Sequence, residues 1–339
     1  MPESSTHRIN NCKIILMISK PRLLSIINTT AYLLNTVETF GYGPFSSHFS
    51  ADQNNATISD KYQTIITPFG FAFSIWGVIF LMQAIFCIIC TFGGEEYSAH
   101  PLVVDGVSYY YLLACLAQTA WSPAFAYEKM PLSAVFMGCI LIPLIVISVK
   151  QNSARKKAIQ NEQPDVAFFR GKYYWLLQFP FELHLGWIMA AFALNVNVVL
   201  VYMRSSSTVQ VVAAAISLGV LGSASILCLF KREESFFKAE TTAPSSCIPS
   251  VIAWASFFIY IELRNPKALI VDTFGSGEIS GFRVAAISLF FVLIGLIAFE
   301  RWIQKQGEHF RWRVKMQKFF RHRDDTGDSV REETPLLSR

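Results

Sequence analysis

The sequence predicts an all-α, polytopic transmembrane bundle of about eight spans, and three observations carry that reading. The chain is 53% apolar and only 16% charged over 339 residues, whereas soluble domains are usually about 25% charged. Its apolar residues come in blocks of about twenty rather than as amphipathic stripes, the length that crosses a hydrocarbon core of about 30 Å. Its Lys and Arg gather in a few connecting segments instead of spreading along the chain. This composition gives no reason to invoke nucleic acid. The sequence has no Walker or Gly-rich phosphate loop, which argues against an ATP-driven pump.

In chain order, residues 1–22 are polar and basic, with no clear cleavage site before Leu23, and read as a retained cytosolic tail. Span 1, about Leu23–Phe40, contains Asn28, Asn35 and Glu38. At helical spacing these three share one face, which should point into the bundle. Residues 41–66 form a polar loop with the sequon Asn55-Ala56-Thr57, a candidate glycosylation site. Span 2 opens at Thr67-Pro68-Phe69-Gly70, where proline suits the first turn of a helix. It runs without a formal charge for 24 residues, Phe69–Phe92. An acidic loop (Glu95, Glu96, Asp105) leads to span 3, about Tyr109–Phe125, which Pro123 should kink or end. Span 4 covers about Leu132–Val149. The basic linker 150–174 precedes span 5, about Leu177–Tyr202. Spans 6 (Val209–Phe230), 7 (about Ser245–Leu263) and 8 (about Val284–Trp302) follow, then a polar tail over 304–339.

Eight spans would put both termini on one side of the membrane. That side would carry 23 Lys and Arg against 6 on the other (Lys61, Lys129, Arg204, Arg264, Lys267, Arg283). The positive-inside rule then makes both termini cytosolic and leaves Asn55 on the face where glycosylation occurs. Cys87 and Cys90 have C-x-x-C spacing. On an uncharged, lipid-embedded helix they read as small apolar residues rather than a redox or metal site.

Three stretches hold most of the unusual residues: Pro68–Trp76, Gln118–Phe125 and Phe179–Trp187 running on to Asn197. Together they resemble the tryptophan-rich sensory protein family, also called translocator protein or peripheral benzodiazepine receptor. On span 2 the likeness rests on Pro68, Gly70, Phe71, Phe73 and Trp76. On span 3 it rests on Gln118, Trp121, Ser122, Pro123 and Phe125, and on span 5 on Leu185, Gly186 and Trp187, with Asn195 eight residues after the Trp. Three motifs in the family's order are far more specific than one. The resemblance covers residues 23–204 and implies a five-helix core, with 205–303 as three additional helices of a longer relative. There are departures. Phe71 stands where the family has Trp, and its step to Trp76 is one residue short, a rotation of about 100° on a helix. Gln118 replaces the usual Asn, and Glu182 and His184 are ionisable where apolar or aromatic residues are usual.

The resemblance implies a pocket among helices 1, 2, 3 and 5 that binds a flat hydrophobic molecule, a tetrapyrrole or sterol, with no required cofactor and no catalysis. Aromatic walls with a few polar anchors suit such ligands. Phe71, Phe73, Trp76, Trp121 and Trp187 are the expected walls, and Gln118, Asn195 and His184 the anchors. The plainer reading of each Trp is packing or interface anchoring. For Asn195 and Asn197 it is hydrogen bonding between helices.

Glu182 and His184 are two apart, so they point to different faces and make no metal site alone. They read either as partners of other helices or as the coupling residues of a proton-coupled transporter of a small solute. Leu200, Tyr202 and Arg204 fit a loose sterol-contact pattern as well as ordinary interface anchoring. Arg301–Arg323 holds eight Lys or Arg with interleaved aromatics, a composition suited to an anionic leaflet. Glu332, Leu336 and Leu337 match an acidic dileucine signal of the kind clathrin adaptors read. With the sequon it favours an endomembrane or plasma-membrane location over the mitochondrial outer membrane. Membrane lipid and a hydrophobic small molecule are the expected partners, and a homodimer is a candidate assembly.

Overall fold

Every predicted apolar block folds as a helix, and the computed structural model describes residues 19–42, 55–160, 171–230 and 246–328. We label the long helices α1 (Lys20–Tyr42), α2 (Ile75–Phe92), α3 (Tyr110–Ala126), α4 (Met130–Gln160), α5 (Phe179–Tyr202), α6 (Ser207–Phe230), α7 (Cys247–Glu262) and α8 (Ser276–Asp328). Short helices cover Asn55–Lys61, Glu95–Ser98 and Ala268–Thr273.

Eight spans is nonetheless the wrong count. Among the described residues, five helices are long and apolar enough to cross a membrane: Gly70–Phe92, Met130–Arg155, Tyr174–Tyr202, Ser207–Leu229 and Ser276–Ile303. The other three predicted spans fail for physical reasons. α3 has 17 residues and α7 has 16, short of the ~20 that a hydrocarbon core requires. α1 is 23 residues long but carries Lys20, Arg22, Glu38, two Asn and four Thr. The placing of both termini on one side rested on an even number of spans and loses its basis with that count.

Proline sets two of the helix entrances. Pro68 precedes a 3-10 turn, Gly70–Ser74, which feeds α2. Pro180 sits in the first turn of α5, after a π-turn over Tyr174–Gln178, where its missing N–H is not needed. On α3, Pro123 lies three residues before the end at Ala126. The chain then reverses through Glu128 at φ +57°. α8 continues through the basic, aromatic Arg301–Arg323 segment as one unbroken helix.

α5 is the hub. It packs against α2, α4, α6 and α7, while α1 packs on α2 and α3, and α8 on α6 and α7. Residues 180–188 are buried without a break, so this part of α5 has no outward face. Close approach to α7 is possible because Gly186 has no side chain. A Cβ there would lie 3.0 Å from the Val251 Cβ and 3.3 Å from the Ile248 Cα. The spacing of Asn28, Asn35 and Glu38 on α1 has its predicted effect: both Asn side chains are buried, and the Glu38 carboxylate oxygens are out of solvent.

Because Gly186 sets the α5–α7 distance, Gly186→Val should destabilise the bundle by about 1–3 kcal/mol through overpacking. Gly219→Ala, in a place with nothing within 4 Å, should be neutral or slightly stabilising. Thermal melting of both variants in detergent checks this.

Candidate ligand-binding site

The polar residues of α5 are each fastened to a neighbour. Glu182 is 1% exposed and accepts from Gln178 Nε2 at 2.7 Å and Tyr174 Oη at 3.0 Å. Gln178 in turn accepts a short hydrogen bond from the buried Arg155 of α4. An amide thus links a buried guanidinium to a buried carboxylate, which lowers the cost of holding both charges out of water. His184, also 1% exposed, accepts at Nδ1 from Gln83 Nε2 of α2 at 2.8 Å, which leaves the ring proton on Nε2. Asn195 accepts from Ser133 Oγ of α4 at 3.1 Å, and Asn197 donates to Ser217 Oγ of α6 at 2.8 Å. Glu182 and His184 point to different helices, as their spacing requires. Among the described residues no group of three His, Cys, Asp or Glu comes together to hold a metal ion.

The expected aromatic walls divide. Phe73, Trp76 and Trp187 stay together: Trp187 makes edge contacts with Phe73 at 5.7 Å and Trp76 at 6.3 Å, and Trp76 meets the His184 ring at 5.8 Å. Phe71, 58% exposed, turns instead to Trp254 and Phe258 of α7. Trp121 stacks on Phe125 of its own helix at 5.3 Å. Gln118 is buried on α3. Asn195 is spent on Ser133. Tyr202 packs on Tyr62 at 5.8 Å, and Arg204 closes the end of α5 at φ +54°. Asn55 begins the short helix Asn55–Lys61. Glu332, Leu336 and Leu337 lie outside the described residues.

Beside Trp187 lies a narrow apolar cleft of about 20 Å³ that opens to the surroundings. α5 supplies Trp187, Ala190, Ala191 and Leu194. α6 adds Leu218 and Leu221, α7 adds Ala255, Ser256 and Ile259, and Ile66 and Pro68 close one side. The Ser256 hydroxyl is already committed to the Ile252 carbonyl at 2.8 Å. The sequence reading missed the α6 and α7 walls. Their signal was the small residues on both sides of the cleft, Ala190 and Ala191 of α5 and Ala255 and Ser256 of α7, which let helices approach closely.

The reading also missed a strap over 57–69 that ties the helix ends together. Lys61 pairs with Glu128 at 2.6 Å in the α3–α4 turn, and Tyr62 donates to the same carboxylate. Gln63 Nε2 donates to the buried Glu262 at the end of α7 at 2.7 Å. Asp60 pairs with Lys267 at 2.6 Å, and the Phe69 N–H donates to the Phe258 carbonyl at 3.0 Å.

The model of one family, described as TSPO-like protein, matches residues 25–299. The chain belongs to the TSPO-like protein family. The match continues well past residue 204, so the TSPO-like region takes in α6, α7 and much of α8. It gives no support to three helices appended to a separate core. No curated protein and no solved structure matches the chain.

In this TSPO-like chain the hydrogen bonds from Lys61 and then Tyr62 hold the Glu128 carboxyl below its ordinary value of 4.5. A lowered carboxylate stabilises the fold above its unfolded value, and that contribution is lost as pH falls through the folded value. Glu128→Gln should therefore melt below wild type at pH 7, and the gap should narrow as pH falls below 4.5 and through the lowered folded value, as wild-type Glu128 protonates. Melting curves across that range check it, and a gap independent of pH would count against the strap.

Proposed function

We propose that this TSPO-like protein binds a flat hydrophobic ligand, a tetrapyrrole or a sterol, for sensing or transport rather than catalysis. We place the ligand against the Trp187 face of α5. The observation that carries the proposal is the narrow apolar cleft bounded by Trp187, Leu194, Leu218 and Leu221, which the helices must part to open for such a ligand. Its far wall is backed by the edge-packed Phe73 and Trp76. Flat apolar molecules gain most from aromatic faces with few polar groups between them. One buried donor of the cleft lining, Trp187 Nε1, has no hydrogen-bond partner among the described residues and suits a carboxylate or carbonyl on such a ligand.

The proton-coupled alternative draws on Glu182 and His184. It is the weaker reading, because the Glu182 oxygens and His184 Nδ1 are fastened to Gln178, Tyr174 and Gln83 in different directions. The endomembrane location and adaptor recognition remain part of the proposal through Asn55 and the Glu332 to Leu337 motif.

Titrating the purified protein with protoporphyrin IX, read by quenching of its seven Trp, tests the proposal. Wild type should quench saturably. Ala191→Phe, which fills the cleft, should weaken binding by about tenfold, equivalent to about 1.4 kcal/mol, with an unchanged circular dichroism spectrum. Saturable quenching that Ala191→Phe leaves alone would move the ligand elsewhere, and no saturable quenching would detach the function from this cleft.

A further inference from the structure

The last helix, α8, outruns the bundle that it belongs to. It runs from Ser276 to Asp328 as one helix, about 80 Å at 1.5 Å per residue, with no proline to break it. Its membrane-crossing part is Ser276–Ile303, so residues 304–328 carry the helix about 37 Å further. The exit point is pinned. Arg301 Nη2 donates to Ser246 Oγ at 2.7 Å, at the start of α7. Trp302 is stacked on Phe299 at 6.1 Å and is 57% exposed, the place of an interface anchor. Ten Lys and Arg from Arg301 onward mark this as the cytosolic end of the span.

The sequence of the extension is patterned for a partner. Residues 309–323 hold six Lys or Arg and no Asp or Glu. Trp312, Met316, Phe319 and Phe320 fall at i, i+4, i+7 and i+8, the register that gathers four bulky apolar residues on one stripe of a helix. Arg311, Lys315 and Lys318 each precede a stripe position by one, and Arg313 and Arg321 each follow one. At about 100° per residue, cations therefore flank the stripe on both sides. An anionic leaflet is one chemistry that takes such a helix, and it requires the helix to lie in the membrane plane. A helix that continues its own span without a break stands out of that plane. Trp312 comes about 14 Å and Phe320 about 26 Å past Ile303 along the axis. Both exceed the Debye length of about 8 Å over which a leaflet attracts a charge. The other chemistry is an apolar groove with an acidic rim, which receives a basic helix through anchors at this spacing.

We propose that α8 beyond Ile303 is a docking helix for a protein with an acid-rimmed apolar groove, of the kind that calcium opens in an EF-hand sensor. Trp312 and Phe319 are the anchors that enter the groove, Met316 and Phe320 fill the space beside them, and the flanking Lys and Arg meet the acidic rim. Within the membrane α8 packs on α6 and α7, which supply walls of the Trp187 cleft. A partner that grips the extension therefore holds the helix that backs those walls. The assignment does not rest on what the cleft binds.

The probe is fluorescently labelled calmodulin, titrated onto the full chain in phosphatidylcholine nanodiscs, first with calcium and then with EGTA. Wild type should bind saturably in calcium and lose at least about a hundredfold in affinity in EGTA. Trp312→Ala should weaken the calcium-dependent binding by about thirtyfold, as loss of a central aromatic anchor does, whereas Trp312→Phe should keep most of it. Lys315→Glu combined with Lys318→Glu should slow association and weaken binding by about tenfold, more at low salt than at high. Melting temperatures should match wild type, since these positions lie beyond the span. Absence of saturable binding would overturn the proposal, and so would binding that ignores calcium or Trp312→Ala. Amide exchange over 304–323 that slows in phosphatidylserine nanodiscs but not with calmodulin would give the stripe to the leaflet and overturn it too.

Discussion

The fold depends on how one central helix satisfies its polar side chains. α5 is enclosed over 180–188 by neighbours on every side, so any polar group there must find its partner inside the protein. Glu182, His184, Asn195 and Asn197 do so through Gln178, Gln83, Ser133 and Ser217. The last three partners belong to α2, α4 and α6. Each of these three ties fixes both the rotation of α5 and the placement of a neighbour. A rotation of one residue, about 100°, would break them together. Gly186 completes the arrangement on the side that has no polar tie, by letting α7 approach closely.

With α5 held in that orientation, Trp187 has a defined place between two groups of helices. One side meets Phe73 and Trp76 from the α2 entrance, and the other bounds the cleft toward α6 and α7. The strap closes over the same end of the bundle. It touches the α3–α4 turn through Glu128, the end of α5 through Tyr202 and the end of α7 through Glu262. Opening this end of the cleft therefore involves contacts that span most of the bundle.

Much of the fold was legible because the residues that shape it act locally. Pro68 announces a helix entrance, and the spacing of Asn28, Asn35 and Glu38 announces the inward face of α1. The number of spans was not legible, since an apolar block of 16 or 17 residues looks much like one of 23 until its ends are seen. Cys247–Glu262 and Tyr110–Ala126 are such blocks. The site was legible in part. Phe73, Trp76 and Trp187 do meet, whereas Phe71 faces α7 and Trp121 stacks on Phe125 of its own helix. Which neighbour a helical residue meets depends on helix order around α5, and no local pattern encodes that order. The Gln63–Glu262 bond joins residues 199 apart in sequence and was beyond any reading of spacing.

The account places a flat ligand beside Trp187, and a structure of the full chain in lipid nanodiscs with protoporphyrin IX bound tests this most directly. It predicts ligand density between α5, α6 and α7, in contact with Trp187, Leu194 and Leu218. Density enclosed by α1, α2 and α3, with the Trp187 cleft empty, would contradict it.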